Sequence, residues 1–229
     1  MKRVMYKKYS GVVNAIGIAS SAALLLYLAR YVATGSVQFS FMAWNLLLSL
    51  FALLAGVLFV TEWKQSWRPI SVVLFMVWLL LLPNTFYMLT DFIHVKESGD
   101  INVLFDIALI GLFAMNGFLH GILSLLVVHK SLLQKYKSAY VHVCIAVIIL
   151  ASSFAVDMGR YLRWNSWDVL VNPAGILFDI TNTFLNPTNY DRSFLITGVF
   201  FVAIASLYAV AWQLTTIQWN EHGKHPAKS

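Results

Sequence analysis

The chain has 229 residues, of which 59% are hydrophobic and only 11% charged, and its mean hydropathy is +0.72. A soluble domain of this length needs far more polar surface, so that class is excluded. The formal net charge of +6 comes from basic residues spread over short loops at the ends of apolar runs. Nucleic-acid recognition calls for one basic patch, so no nucleic-acid partner is expected.

Runs of roughly 20 apolar residues, enough to cross a hydrocarbon core of ~30 Å, recur near 11–33, 40–61, 70–90, 103–129, 141–162 and 194–217. Lipid offers unpaired backbone groups no partner, so helices are the natural spanning element. A transmembrane barrel would alternate apolar and polar residues, and runs such as SVVLFMVWLLLL do not. The expectation is an all-α integral membrane bundle of six transmembrane helices, 11–217. It lies between a basic N-terminus, 1–10, and a tail, 218–229. MKRVMYKKYSG and the apolar run after it resemble a signal sequence. The run is too long and lacks an A-x-A site, so an uncleaved first span is expected.

With the N-terminus inside, the inner segments hold Lys2, Arg3, Lys7, Lys8, Lys64, Arg68, Lys130, Lys135, Lys137, Lys224 and Lys228. Their only acids are Glu62 and Glu221, so the positive-inside rule puts both termini in the cytoplasm. Trp44, Trp63, Trp67, Trp164, Trp167, Trp212 and Trp219 fall near predicted helix ends, where indoles anchor at the lipid–water boundary. The single cysteine, Cys144, reads as a small buried apolar residue, and His222 and His225 in the tail are a poor metal signal.

The third span carries LLLLPNTFYMLTDFIHV. Pro83 removes a backbone donor and frees the carbonyl of Leu79, and Asn84 can patch the break. If the helix continues, Asn84, Tyr87, Asp91 and His94 share one face. The fourth span starts with Asp106 at its outer end. Asn116 and His120 lie deeper, around a small-xxx-small pattern, Gly117 to Gly121, that marks close helix packing. The fifth ends in AVDMGRYLRWNSWD, where Asp157 and Arg160 are spaced to pair along the helix and Arg163 lies one turn beyond. In the last outer loop, Asn172-Pro173 reads as a helix start and Asn186-Pro187 as a stop. Leu177, Ile180 and Phe184 would share a face of a short interfacial or re-entrant helix, with a plain surface loop as the alternative.

Ionisable residues within hydrocarbon normally face a partner, a cavity or the bundle interior. Three chemistries therefore stand beside a purely structural ion pair. Asp91 and His94, completed by Asp106 or Asp157, offer mixed N/O ligands for a divalent metal. His94 and a carboxylate, Asp91 or Asp157, could instead move protons while Arg160 or Arg163 holds an anionic group such as a lipid phosphate. No nucleophile motif accompanies them. A helix broken at Pro83-Asn84, with Asn116 and His120 deeper, could line a path for an ion or small solute.

LPNTFYMLTDFIH and GRYLRWNSWDVL together resemble the paired motifs LPNxxYxxTDxxH and GRxxRWNSWD of the bacterial membrane-protein family known as domain of unknown function 1361. The resemblance runs from the second span to the sixth. It marks Pro83, Asn84, Tyr87, Thr90, Asp91, His94, Gly159, Arg160, Arg163, Trp164, Asn165, Trp167 and Asp168 as family positions. It implies a bacterial plasma-membrane location and carries no activity. The expected functional surface is an outer-facing polar pocket. Asn84, Tyr87, Arg160, Arg163, Trp164, Asn165 and Asp168 would bind a ligand, and Asp91, His94 and Asp106 would hold any metal. Recognition or metal-assisted processing of an extracytoplasmic or lipid-linked ligand is the first expectation. Transport of a small solute or ion is the second, and a structural or accessory subunit the third.

Overall fold

The computed structural model describes residues 2–65, 69–97 and 102–216, without the side chains of 2–10, 64, 65, 96 and 97. The expected tail 218–229 with His222 and His225, as well as Trp67 and Trp219, lie outside the described residues. The elements are α1 (Lys2–Thr34), α2 (Ser40–Gln65), α3 (Pro69–Tyr87), a 3-10 segment (Met88–Glu97), α4 (Val103–Leu132) and α5 (Ser138–Tyr161). They continue with α6 (Asp168–Val171), α7 (Pro173–Leu185) and α8 (Asp191–Thr216). Among the described residues, six segments are long and apolar enough to cross a membrane: Gly11–Thr34, Ser40–Trp63, Pro69–Val95, Val103–Leu132, Ser138–Tyr161 and Asp191–Thr216. No strand occurs among the described residues.

α2, α3 and α4 pack against one another, α5 lies on α3, α8 on α5, and α1 on α4. One core cluster centres on Phe59, Trp78, Leu82, Phe86, Leu125 and Ile149, and a second on Phe39, Met42, Met88, Ile110 and Phe113. The α3–α4 contact depends on missing side chains. A Cβ on Gly117 would stand 2.7 Å from the carbonyl oxygen of Thr85, and one on Gly121 would meet the Thr85 hydroxyl and the Phe86 ring. The small-xxx-small pattern therefore serves close packing, as its spacing predicts.

α1 turns Val12, Val13, Ile18, Leu25, Leu28 and Val32 outward, as a helix facing lipid does. Its buried polar contact is Arg30, whose Nε donates to Asp106 Oδ1 at 2.8 Å with both side chains at 0% exposure. Deeper in the bundle, Asn116 Nδ2 donates to Ala19 O at 3.3 Å and Ser20 Oγ donates to Asn116 Oδ1 at 3.3 Å. These polar bonds clasp a helix that lipid alone would not hold against the bundle. Cys144, expected to be buried, is exposed on α5, because the buried stripe of that helix runs through Val141, Ile145, Ile149 and Ser152.

Local chemistry sets the helix ends around the site. α5 stops where Arg163 adopts φ 59°, and the Trp164 amide turns back to donate to Met158 O at 3.3 Å. That left-handed position usually falls to glycine. α7 starts with Pro173 in its first turn, and the Asn172 side chain accepts from the Gly175 amide at 3.0 Å. The loop between α5 and α8 thus contains a helix, as Asn172-Pro173 signals, and not the plain loop.

Candidate functional site

Pro83 lies within α3, and two carbonyls of the turn before it, those of Leu80 and Leu81, accept from side chains. Asn84 Nδ2 donates to Leu81 O at 3.2 Å and to Ser166 Oγ at 2.9 Å, while Ser166 Oγ donates to Leu80 O at 2.7 Å. The patch comes from the loop after α5, which joins the two motif segments directly.

Beyond Tyr87 the chain tightens from α to 3-10 geometry. At about 3.0 residues per turn, positions three apart stack one above the other, so Asp91 and His94 present one column of acceptors. Arg160 of α5 meets both with its fork. Nη1 donates to Asp91 Oδ1 at 3.2 Å and to the Tyr87 hydroxyl at 3.5 Å, and Nη2 bonds His94 Nε2 at 3.0 Å. A guanidinium has no lone pair to offer, so His94 Nε2 is the acceptor and the ring takes the tautomer with its proton on Nδ1. Phe41 packs edge-on to His94 with ring centroids 5.4 Å apart. Asp91 is buried, and its Oδ2 has no hydrogen bond, although the Asn45 side chain stands close to the carboxylate.

These groups close one end of a cavity of about 670 Å³ lined by α2, α3, the 3-10 segment, α5, the loop after it and α7. Most of the remaining wall is apolar, with Leu48, Leu79, Leu80, Ala151, Ala155, Ile176 and Ile180, interrupted by Asn84, Asn165 and Ser166. Ser152 also lines it, buried and with its hydroxyl unpaired. Trp164 fastens the cover: its Nε1 donates to Asp179 Oδ2 of α7 at 2.8 Å. Ile176 and Ile180 face the cavity, whereas Leu177 and Phe184, expected on the same face as Ile180, are exposed.

The structure thus brings together Asn84, Tyr87, Asp91, His94, Arg160, Trp164 and Asn165. Asp106 is elsewhere, held by Arg30, so the expected Asp91–His94–Asp106 metal set does not form. No group of three metal-ligating side chains occurs among the described residues. The physical reason is visible at Arg160, whose permanent cation already takes the lone pairs of Asp91 Oδ1 and His94 Nε2 that a metal would need. Asp157 does not pair with Arg160 as its spacing allows. It is buried with Oδ1 unbonded, and Arg160 reaches across to α3 instead. Asp168 accepts from the Asn165 amide at 2.6 Å and shapes the loop, and the Arg163 side chain is exposed outside the cavity lining.

Asn116 and His120 are spent on packing. His120 Nδ1 bonds Ser49 Oγ at 2.8 Å, and neither residue lines the cavity. Four contributors escaped sequence reasoning: Asn45, Ser152, Ser166 and Asp179. Asn45 is a lone amide in an apolar run, and Ser166 lies inside the second motif, so both carried a signal.

The model of a family described as a protein of unknown function, DUF1361, matches residues 44–207. Every polar residue of the cavity wall falls within that range. No curated protein and no solved structure matches the chain.

Proposed function

The chain belongs to the DUF1361 family, and we propose that it is a bacterial plasma-membrane protein holding an amphiphile, a lipid or lipid-linked compound, in the cavity between α2, α3, α5 and α7. The carrying observation is the two-part wall of that cavity. Its polar end is Asp91, His94, Arg160 and Tyr87, and its flank of Leu48, Leu79, Leu80, Ala151 and Ala155 is apolar. From Arg160 down α5 to Ala151, a rise of 1.5 Å per residue gives about 14 Å, enough to take the first part of an acyl or isoprenoid chain. The basic inner loops favour an orientation with both termini cytoplasmic and the polar end facing out. Metal-assisted processing is not part of this proposal, because Arg160 takes Asp91 Oδ1 and His94 Nε2 and its fixed positive charge stands where a second cation would have to bind. Transport has no observation in its favour beyond the broken helix, since Asn116 and His120 are used in packing.

The test is photolabelling of the purified protein in nanodiscs with a phospholipid that carries a diazirine in its chain. Labelling is expected in segments 79–91 and 151–160 and is expected to fall strongly in Ala155→Trp, which fills the apolar half. Uniform labelling of all lipid-facing surfaces, unchanged in a folded Ala155→Trp, would remove the proposal.

A further inference from the structure

Building on that amphiphile site, we infer that its polar end selects a head group that donates hydrogen bonds, the primary ammonium of a zwitterionic phospholipid, over a purely anionic head. Three observations lead there. First, the polar end is already balanced: Arg160 is matched by Asp91, and His94 accepts from Arg160 through Nε2. Among the described residues, Asp91, His94 and Arg160 are the only ionisable side chains of Asp, Glu, His, Lys or Arg type in the lining. A simple anion beside Arg160 would leave the site with a net negative charge close to the buried Asp91 carboxylate, which is unfavourable.

Second, Asp91 Oδ2 is a buried acceptor that no donor reaches at hydrogen-bond geometry, although the Asn45 side chain stands close to the carboxylate. Asp91 itself is buried and lines the cavity. Buried acceptors in native proteins almost always have a partner, and an N–H from an ammonium answers this one. The phosphate of the same head would then lie beside the outward N–H groups of Arg160, which remains 14% exposed. Adding a zwitterion keeps the site neutral and breaks no existing bond.

Third, the Ser152 hydroxyl is buried without a partner in the apolar half of the cavity. It lies eight residues before Arg160 on α5, about 12 Å along the axis at 1.5 Å per residue. A free aminoalkyl phosphate would leave that hydroxyl unanswered, whereas the ester carbonyls of a phospholipid supply an acceptor below the head. The lipid, and not the free head group, is therefore the occupant.

The experiment uses the full chain, delipidated and placed in nanodiscs of phosphatidylcholine. Photoactivatable phosphatidylethanolamine, phosphatidylcholine or phosphatidylglycerol is doped in at equal fractions, and cavity peptides are quantified. The ethanolamine lipid is expected to label about tenfold more than either of the others, the ratio that corresponds to one charge-assisted hydrogen bond. The choline head carries charge without an N–H, so it separates donation from charge. Asp91→Asn is expected to erase the preference while total cavity labelling persists, and free phosphoethanolamine is expected not to compete. A preference for the glycerol lipid, or equal labelling by all three, overturns the head-group inference and leaves the amphiphile site standing. Retained preference in Asp91→Asn overturns the assignment to Asp91, and competition by the free head overturns the lipid as occupant. Absence of cavity labelling with every probe overturns the amphiphile site itself. Should Asp91→Asn fail to fold, the wild-type ranking of the three heads decides the inference alone.

Discussion

Asp106→Leu separates a structural ion pair from a ligand. In the native protein the Arg30 guanidinium lies 2.8 Å (Nε) and 3.5 Å (Nη2) from the two Asp106 oxygens, with both side chains fully buried. Nη2 also donates to Gln38 Oε1 at 3.3 Å, and the guanidinium carbon stands 4.5 Å from the centre of the Phe39 ring. Removing one member of a buried pair costs about 3–5 kcal/mol, because the remaining charge has neither water nor counter-ion. Gln38 and Phe39 offset about 1 kcal/mol of that for Asp106→Leu, through the retained hydrogen bond and the cation–π contact. The expected loss is therefore about 2–4 kcal/mol for Asp106→Leu and about 3–5 kcal/mol for Arg30→Met. The double variant removes both charges and should lie within about 1 kcal/mol of wild type, giving a coupling of about 5–9 kcal/mol, close to the sum of the two single losses. Reversible unfolding in SDS, followed by tryptophan fluorescence, measures all four corners of the cycle. Single losses under about 1 kcal/mol that simply add would mean the pair is solvated and worth no more than a surface bridge. The folded double variant should still label at the cavity, and loss of labelling there would return Asp106 to the site.

Gly121→Val drives a side chain into the Thr85 hydroxyl and the Phe86 ring and should cost about 1–3 kcal/mol by overpacking, while Gly17→Ala, with nothing within 4 Å, should gain up to about 1 kcal/mol of helix propensity. The same SDS titration compares them, and equal effects would refute the α3–α4 contact. Trp164→Phe breaks the bond to Asp179 and should weaken the hold on α7 by about 1–2 kcal/mol. Limited proteolysis within 163–190 is then expected to speed up with little change in global stability, and unchanged cleavage would show that the bond does not fasten the cover. Arg163→Gly relieves a left-handed backbone position and should raise stability by about 0.5–1 kcal/mol. A fall in stability would mean the Arg163 side chain outweighs its backbone strain.

Much of the site was legible as a pattern on each helix. Asn84, Tyr87, Asp91 and His94 read as one stripe, and all four line the cavity. The detail of the stripe was not legible, because the change from α to 3-10 geometry at Met88 alters the angular step and leaves no mark in residue type. Spacing also misled at Arg160. Asp157 is three residues away and was the natural partner by local geometry, but the arginine bonds Asp91, 69 residues distant in sequence. Asp106 likewise has the sequence depth of Asp91 and His94, but it pairs with Arg30, 76 residues away.

What the sequence by itself determined is the all-helical membrane class with six apolar spans, together with the family. The reason is physical: hydrocarbon forces each span to satisfy its own backbone, so a run of apolar residues can be read one helix at a time. Only the tertiary structure decided which charges meet. Periodicity gives the direction a side chain takes around its own axis, but partner choice depends on which helix stands opposite and at what depth. That is set by close contacts such as Gly117 and Gly121 on Thr85 and Ser166 on Leu80 O. Two arginines of the same chemistry were therefore divided between two tasks: Arg30 clasps α1 to α4, and Arg160 closes the polar end of the cavity.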